Sequence, residues 1–410
     1  MRVLLSTIGS RGDVQPLVAL GLQLKVLGHE GRVCVPPDFR EWIEDLGIAV
    51  TPIGPEVRKF AAARATATHP RTFPTPEQRR QMAEATVAAQ FETVTAAAAG
   101  CDIIVAASAL QIAARSVAEK IGIPYIFVAY SPTVLPSPHH PPPPLPAFPG
   151  ETPLPPTSDN RELWSRDEAR FHSLFGAALN VHRAALGLAP VSNARRYMTT
   201  ERPWLAADPM LGAWPGPADD GVLQTGAWFL SDQRPLPREL DTFLASGEPP
   251  IYFGFGSTRI PQDTGHVLVH SARALGRRAI VSRGWFEESL VEDQAGCLSI
   301  GDANLHALFP RVAAVVHHGG AGTTTAAALA GSPQVVIPDH YDQHYWAQRI
   351  EILGIGVAHP PGVPTTDSLV SALKRALRPD IVVRAQAIAR TMSRDGTNTA
   401  AEKLIACALQ

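Results

Sequence analysis

Short apolar runs alternate with amphipathic stretches along almost the whole chain. Arg2 to Thr7 reads as a short buried strand, Gly9 to Gly12 as a loop, and Asp13 to Gly28 as an amphipathic helix with Pro16 near its first turn. Gly31 to Val35 and Ile48 to Ile53 predict further strands, with a short helix from Phe39 to Leu46 between them. Thr75 to Ala99 is a long helix opened by a Thr-Pro-Glu entry signal. Asp102 to Ala106 and Tyr125 to Val128 are apolar strands separated by a helix. The alternation restarts with strands at Ile251 to Phe255, Arg278 to Ser282, Cys297 to Ile300, Ala313 to His317 and Gln334 to Ile337. Strands that alternate with helices predict an α/β chain with parallel, doubly wound sheets.

Two segments break the pattern. Residues 131–158 are rich in proline and can be neither strand nor helix. They read as a polyproline ligand for a partner or, better, as a large active-site loop, because they follow directly on a strand. Gly, Pro and Asp cluster from Leu211 to Gly221 and mark a boundary between two α/β domains. Ligands of such sheets bind outside the carboxyl ends of the strands.

The chain has 410 residues, beyond one comfortable core. A net charge of −2 gives no general pull toward nucleic acid or an anionic membrane. The four cysteines are scattered and form no C-x-x-C pair, as expected of thiols in a reducing cytoplasm. Arg11 and Asp13 interrupt the first apolar run, against a signal peptide, and no apolar stretch is long enough to predict a membrane span. A cytoplasmic protein is expected.

The most telling run is His317-His318-Gly319-Gly320-Ala321-Gly322-Thr323-Thr324. It follows an apolar strand and opens a helix, Thr325 to Ala330. A strand, a glycine turn and a helix N-terminus aim backbone N–H groups at one point, where phosphate can bind without a lysine. Asp13, at the start of the first helix, is either an N-cap or a general base facing the carboxyl edge. Gly254 to Ser257 is a strand-to-helix turn or a second set of phosphate donors. His340 and His344 have the i, i+4 spacing of a metal pair, but no thiolate or His-Glu-x-x-His pattern supports one, and no metal is expected. A dinucleotide site is the rival reading: Gly320-Ala321-Gly322 follows a strand and Asp339 ends the next. Against it, Thr325 occupies the third glycine position and the turn comes late in its domain.

At this point the residues resemble a family. Gly9-Ser10-Arg11-Gly12-Asp13, Gly122-Ile123-Pro124-Tyr125, Pro136 to Pro144, Trp204 to Pro209, Gln224 to Trp228, Gly254 to Ser257, Ser282 to Trp285, His317 to Thr324 and Asp342-Gln343 are similar to the bacterial antibiotic glycosyltransferases of the GT-B fold, above all to those that glycosylate vancomycin-type aglycones. The resemblance implies two Rossmann-like domains facing across a cleft. They would be an acceptor domain over 1–210 and a nucleotide-sugar domain over 222–390, with the last helix, 391–410, crossing back to the first. It implies an inverting transfer from a UDP- or dTDP-sugar to a hydroxyl, phenolic by preference, of an antibiotic aglycone. A polyketide, sterol or lipid acceptor is the alternative. The implied donor site comprises Ser10, Arg11, Ser257, Trp285, Ile300, His318, Gly320, Gly322, Thr323, Asp342 and Gln343. Asp13 would be the catalytic base. Phe73, Pro138, His139 and His140 would shape the acceptor site. No cofactor is implied, because the nucleotide sugar is a co-substrate.

Overall fold

The central strands of both sheets are buried on both faces, and this shapes the fold. The computed structural model describes residues 1–59, 74–108, 110–144, 158–217, 221–258, 264–284 and 296–408. Two bodies separate within it. The first comprises Met1–Ala207, Ala213–Leu230 and Ser393–Gln410, and the second comprises Asp208–Gly212 and Ser231–Met392.

The first body is built on seven parallel strands: β1 (Arg2–Thr7), β2 (Glu30–Val35), β3 (Ala49–Pro52), β4 (Ile103–Ala107), β5 (Tyr125–Ala129), β6 (Trp204–Leu205) and β7 (Leu223–Gln224). Their order across the sheet is β3-β2-β1-β4-β5-β6-β7. The second body holds β8 (Ile251–Gly254), β9 (Ala279–Ser282), β10 (Cys297–Ile300), β11 (Ala314–His317), β12 (Gln334–Val336) and β13 (Gly356–Ala358), in the order β10-β9-β8-β11-β12-β13. Both sheets therefore reverse direction of growth beside their first strand. The switch point lies between β1 and β4 in one body and between β8 and β11 in the other. A crevice opens at the carboxyl ends of such a strand pair.

The strands are near-continuous apolar runs because helices cover both faces. Val3, Leu4 and Leu5 of β1 and all of β4 are buried, as are Val315 and Val316 of β11. The Pro76–Ala97 helix starts where the sequence signals it. Thr75 accepts from the Gln78 amide while the Gln78 side chain accepts from Thr75 N–H, so two otherwise orphaned donors are satisfied. The Gly396–Ala408 helix packs on the Arg11–Val26 helix, where Gln23 donates to Asn398 at 2.8 Å.

Two expectations need correction, and three short strands go unpredicted. The first helix begins at Arg11, not Asp13, which moves Pro16 into the second turn and removes one bond to the Gly12 carbonyl. The proline-rich segment includes a short 3₁₀ turn, Pro132–Val134, so it is not wholly irregular. The strands β6, β7 and β13, of two or three residues, are too short for any periodicity to announce. No helix among the described residues is long and apolar enough to cross a membrane.

Candidate functional site

In the second body, the carboxyl ends of β8 and β11 carry the turns that the sequence singles out. His317 ends β11, and Gly319 follows with φ +92°. A Cβ at Gly319 would lie 2.8 Å from Val336 Cγ1, so conformation and space both demand glycine there. Gly320 is the N-cap of the Ala321–Leu329 helix, and no side chain caps that helix and no acid lies in its first turn. The first N–H groups of the helix therefore keep their donor capacity and the positive end of the dipole is left uncompensated. Gly322 is exposed and opens onto free space.

Of the three threonines, Thr324 and Thr325 are buried and turn their hydroxyls back onto the carbonyls of Gly320 and Ala321. Only the half-buried Thr323 can offer its hydroxyl outward. The His318 ring lies against Gly256, where an added Cβ would come within 3.1 Å of Cε1. This joins the His318 turn to the Phe255–Thr258 turn that holds Ser257. Burial pushes the His318 imidazole down to about 4, so it is neutral near pH 7.

Asp342 and Gln343 stand at the start of the Gln343–Ile352 helix. Asp342 Oδ2 accepts from Trp346 Nε1 at 2.9 Å, and burial raises the carboxyl's pKa. Gln343 is buried. Its carboxamide oxygen accepts from the amides of Asp339 at 2.8 Å and His340 at 3.2 Å. That oxygen holds the 339–343 loop, which leaves Asp342 as the more outward of the pair. His340 precedes the helix, in a loop with Tyr341 at φ +56°, so the i, i+4 spacing does not set His340 and His344 on one helical face. No cluster of three or more potential metal ligands occurs among the described residues. Ile300 ends β10, two strands from β8, and is buried; its carbonyl accepts from Arg283 N–H.

In the first body the corresponding edge carries Asp13. It is not the N-cap. Ser10 holds that position, and Asp13 is the third residue of the helix. The Ser10 amide donates to Asp13 Oδ2 at 2.7 Å and the Ser10 hydroxyl to the same oxygen at 3.2 Å. Gly9 makes room for this: a Cβ there would sit 2.2 Å from Oδ2. Ser10 is thus committed to Asp13. Arg11 lies 4.9 Å over the Trp42 ring and donates to Gln15. At the end of β4, Ser108 holds φ +74° and donates to the Ile8 carbonyl, beside the β1 turn.

In the proline loop, Pro138 and His139 are exposed. His140 turns inward between Trp164 and Trp214, edge-on to both, and its carbonyl accepts from Trp164 Nε1. Phe73 and Trp285 lie outside the described residues. Sequence reasoning passed over Trp42, Ser108 and Trp346. It also left out the buried pair His317 and Gln334, 17 residues apart and joined only by the parallel register of β11 with β12.

Comparisons with known proteins agree with this layout. Residues 3–137 match the model of the glycosyltransferase family 28 N-terminal domain. Residues 297–405 match that of the erythromycin biosynthesis protein CIII-like C-terminal domain. The chain is 46% identical over 409 residues to glycosyltransferase GtfE of Amycolatopsis orientalis, covering 99% of this chain and 97% of that one. It is 46% identical over 407 residues to the vancomycin aglycone glucosyltransferase of the same organism, with the same coverage. It is 43% identical over 396 residues to that organism's dTDP-epi-vancosaminyltransferase, covering 95% and 93%. Among solved structures, spinosyn forosaminyltransferase SpnP superposes with a TM-score of 0.70 at 18% identity over the full length of both chains, a likeness of fold. The chain belongs to the bacterial antibiotic glycosyltransferases of the GT-B fold, the family of the glycopeptide glycosyltransferases of Amycolatopsis orientalis.

Proposed function

We propose that this glycosyltransferase moves a sugar from a UDP- or dTDP-sugar to a hydroxyl of a glycopeptide-type aglycone, with inversion and without a metal. The uncapped helix N-terminus at 320–323 carries the reading. A departing nucleoside diphosphate develops negative charge, and preoriented backbone N–H groups stabilise that charge without reorganising. His318 and Thr323 add neutral donors. Asp342 is the group placed to accept from a sugar hydroxyl.

Asp13 acts as the base. It takes the proton of the acceptor hydroxyl, the oxygen attacks the anomeric carbon, and the diphosphate leaves from the opposite face. A phenol suits a carboxylate base because it gives up its proton more readily than an alkanol. The relatives named for the vancomycin aglycone and for a dTDP-sugar support these choices of acceptor and donor. Family membership removes the dinucleotide oxidoreductase alternative. A sterol 3-β-glucosyltransferase of Arabidopsis thaliana, 28% identical over 433 residues, keeps a sterol acceptor as the outcome to test against.

The test is titration calorimetry with UDP and dTDP in EDTA, followed by transfer assays on a vancomycin-type aglycone, a polyketide and a sterol. Metal-free binding of one nucleotide and transfer to the aglycone are expected. Binding that requires a divalent cation would overturn the metal-free site, and transfer to the sterol alone would overturn the acceptor.

A further inference from the structure

His317 is wholly buried, yet both of its nitrogens are engaged. The Gly319 amide donates to Nδ1 at 3.1 Å, and Nε2 lies 2.9 Å from Gln334 Oε1. An imidazole nitrogen that accepts from an amide carries no proton. The ring proton is therefore on Nε2, and it is donated to Gln334 Oε1. Turning the Gln334 carboxamide over would bring an NH₂ to Nε2, force the proton onto Nδ1, and oppose it to the Gly319 N–H. One arrangement fits. It is kept although Gln334 Nε2 is buried with no protein partner among the described residues.

We propose that His317 is the positioning residue of the anion-binding turn. It fastens Gly319 to Gln334 on the neighbouring strand, and so holds His318 and the amides of 321–323 in register for a nucleoside diphosphate. Gly319 is the residue most in need of such a tie, since it sits at positive φ between a strand and an uncapped helix. A pyrophosphate cradle made of backbone amides is only as good as the backbone's fixed geometry. A second-layer imidazole supplies that fixity without adding a charge. Burial pushes the His317 imidazole down to about 3, so it stays neutral in the working range. This role rests on the donor site proposed above.

Three variants test it by calorimetry with the nucleotide that wild type binds, alongside melting temperature and donor and acceptor KM. His317→Leu removes both bonds and is expected to weaken nucleotide binding about tenfold or more. Its donor KM should rise while its acceptor KM stays put. His317→Asn places an amide oxygen near the lost Nδ1 and should recover affinity to within about threefold of wild type. Gln334→Met should fall between them. A folded His317→Leu with unchanged affinity overturns the proposal, as does a His317→Asn as weak as the leucine variant. If the variants do not fold, ¹⁵N-histidine NMR of wild type decides. Neither His317 nor His318 should titrate between about pH 5 and 9, and His317, identified by the contact of its Nδ1 with the Gly319 amide, should be fixed as the Nε2–H tautomer. A His317 that titrates there, or that carries its proton on Nδ1, overturns the assignment. A wild type that binds neither nucleotide withdraws the donor site and the role of His317 together. A binding wild type beside an indifferent leucine variant removes His317 alone.

Discussion

The two bodies use the same supersecondary unit at their switch points, a parallel strand running through a glycine turn into a helix, and equip it in opposite ways. After β1 the helix carries its own anion. Asp13 sits at the third helical position, and two groups of Ser10 converge on its Oδ2. After β11 the helix carries none: glycine is the cap, and no acid lies in the first turn. A helix N-terminus favours negative charge in either case. In the first body the charge is covalent and faces the carboxyl edge as a held carboxylate. In the second the helix end has no such acid, and the proposed function assigns that place to a ligand. The proposal thus draws a base and an anion receptor from one piece of backbone, with a few side chains making the difference.

The comparison can be broken at its strongest point first. Asp13→Asn keeps the size of the side chain and removes the base. Transfer should fall about 10²–10⁴-fold, while nucleotide affinity by calorimetry stays near wild type. Equal turnover in that variant would take Asp13 out of the mechanism. Gly9→Ala leaves the carboxylate chemically intact but drives a methyl into Oδ2. A displaced base is expected to lower kcat by up to about 10²-fold, with KM for both substrates little changed in steady-state assays.

The third prediction concerns acid, because the second turn is backed by a buried histidine. His317 is held well below the free value, at about 3, by burial. The unfolded chain binds the proton first, so stability is full above the unfolded pKa near 6.5 and declines as pH falls toward the folded value. By pH 5 one such group removes about 2 kcal/mol. Urea titrations at pH 7 and 5 should show the loss, and His317→Asn should lessen it; an unchanged pH dependence in that variant assigns the loss elsewhere. The smallest effect is the sharpest comparison. Gly322 opens onto free space, so Gly322→Asp gives the second helix an acid like that of the first. The fold should gain about 0.3–1 kcal/mol, yet nucleotide affinity should drop about tenfold through repulsion. Tighter or unchanged nucleotide binding would show that the diphosphate does not use this helix end.

The central strands were legible because parallel strands covered on both faces must be apolar throughout, as Val3 to Leu5 and Val315 to Val316 are. The strand–turn–helix unit at 314–329 was legible because glycines and a following helix stand in one contiguous run. Asp13 was seen but misplaced. The Ser-x-x-Asp spacing of a capping box stands at positions 10–13, and reading the aspartate as the cap hid it. What lay outside reach depends on register. Gln334 meets His317 only because Val315 pairs with Gln334 and His317 with Val336. The inward turn of His140 likewise depends on Trp164 and Trp214, 24 and 74 positions away, and no local spacing encodes it.

The Gly396–Ala408 helix gives the first body a discontinuous sequence. Residues 1–207 contain most of its sheet, but Gln23 and the Phe229 amide find their partners in Asn398 and Thr397. On the ribosome, the body begun first therefore cannot be completed until residues 393–408 have emerged, after the whole of the second body. The second body, Asp208–Gly212 with Ser231–Met392, precedes this helix entirely in the chain. The closing segment gives the first body contacts of long sequence separation, such as Gln23 with Asn398, and contacts of that kind are slow to form.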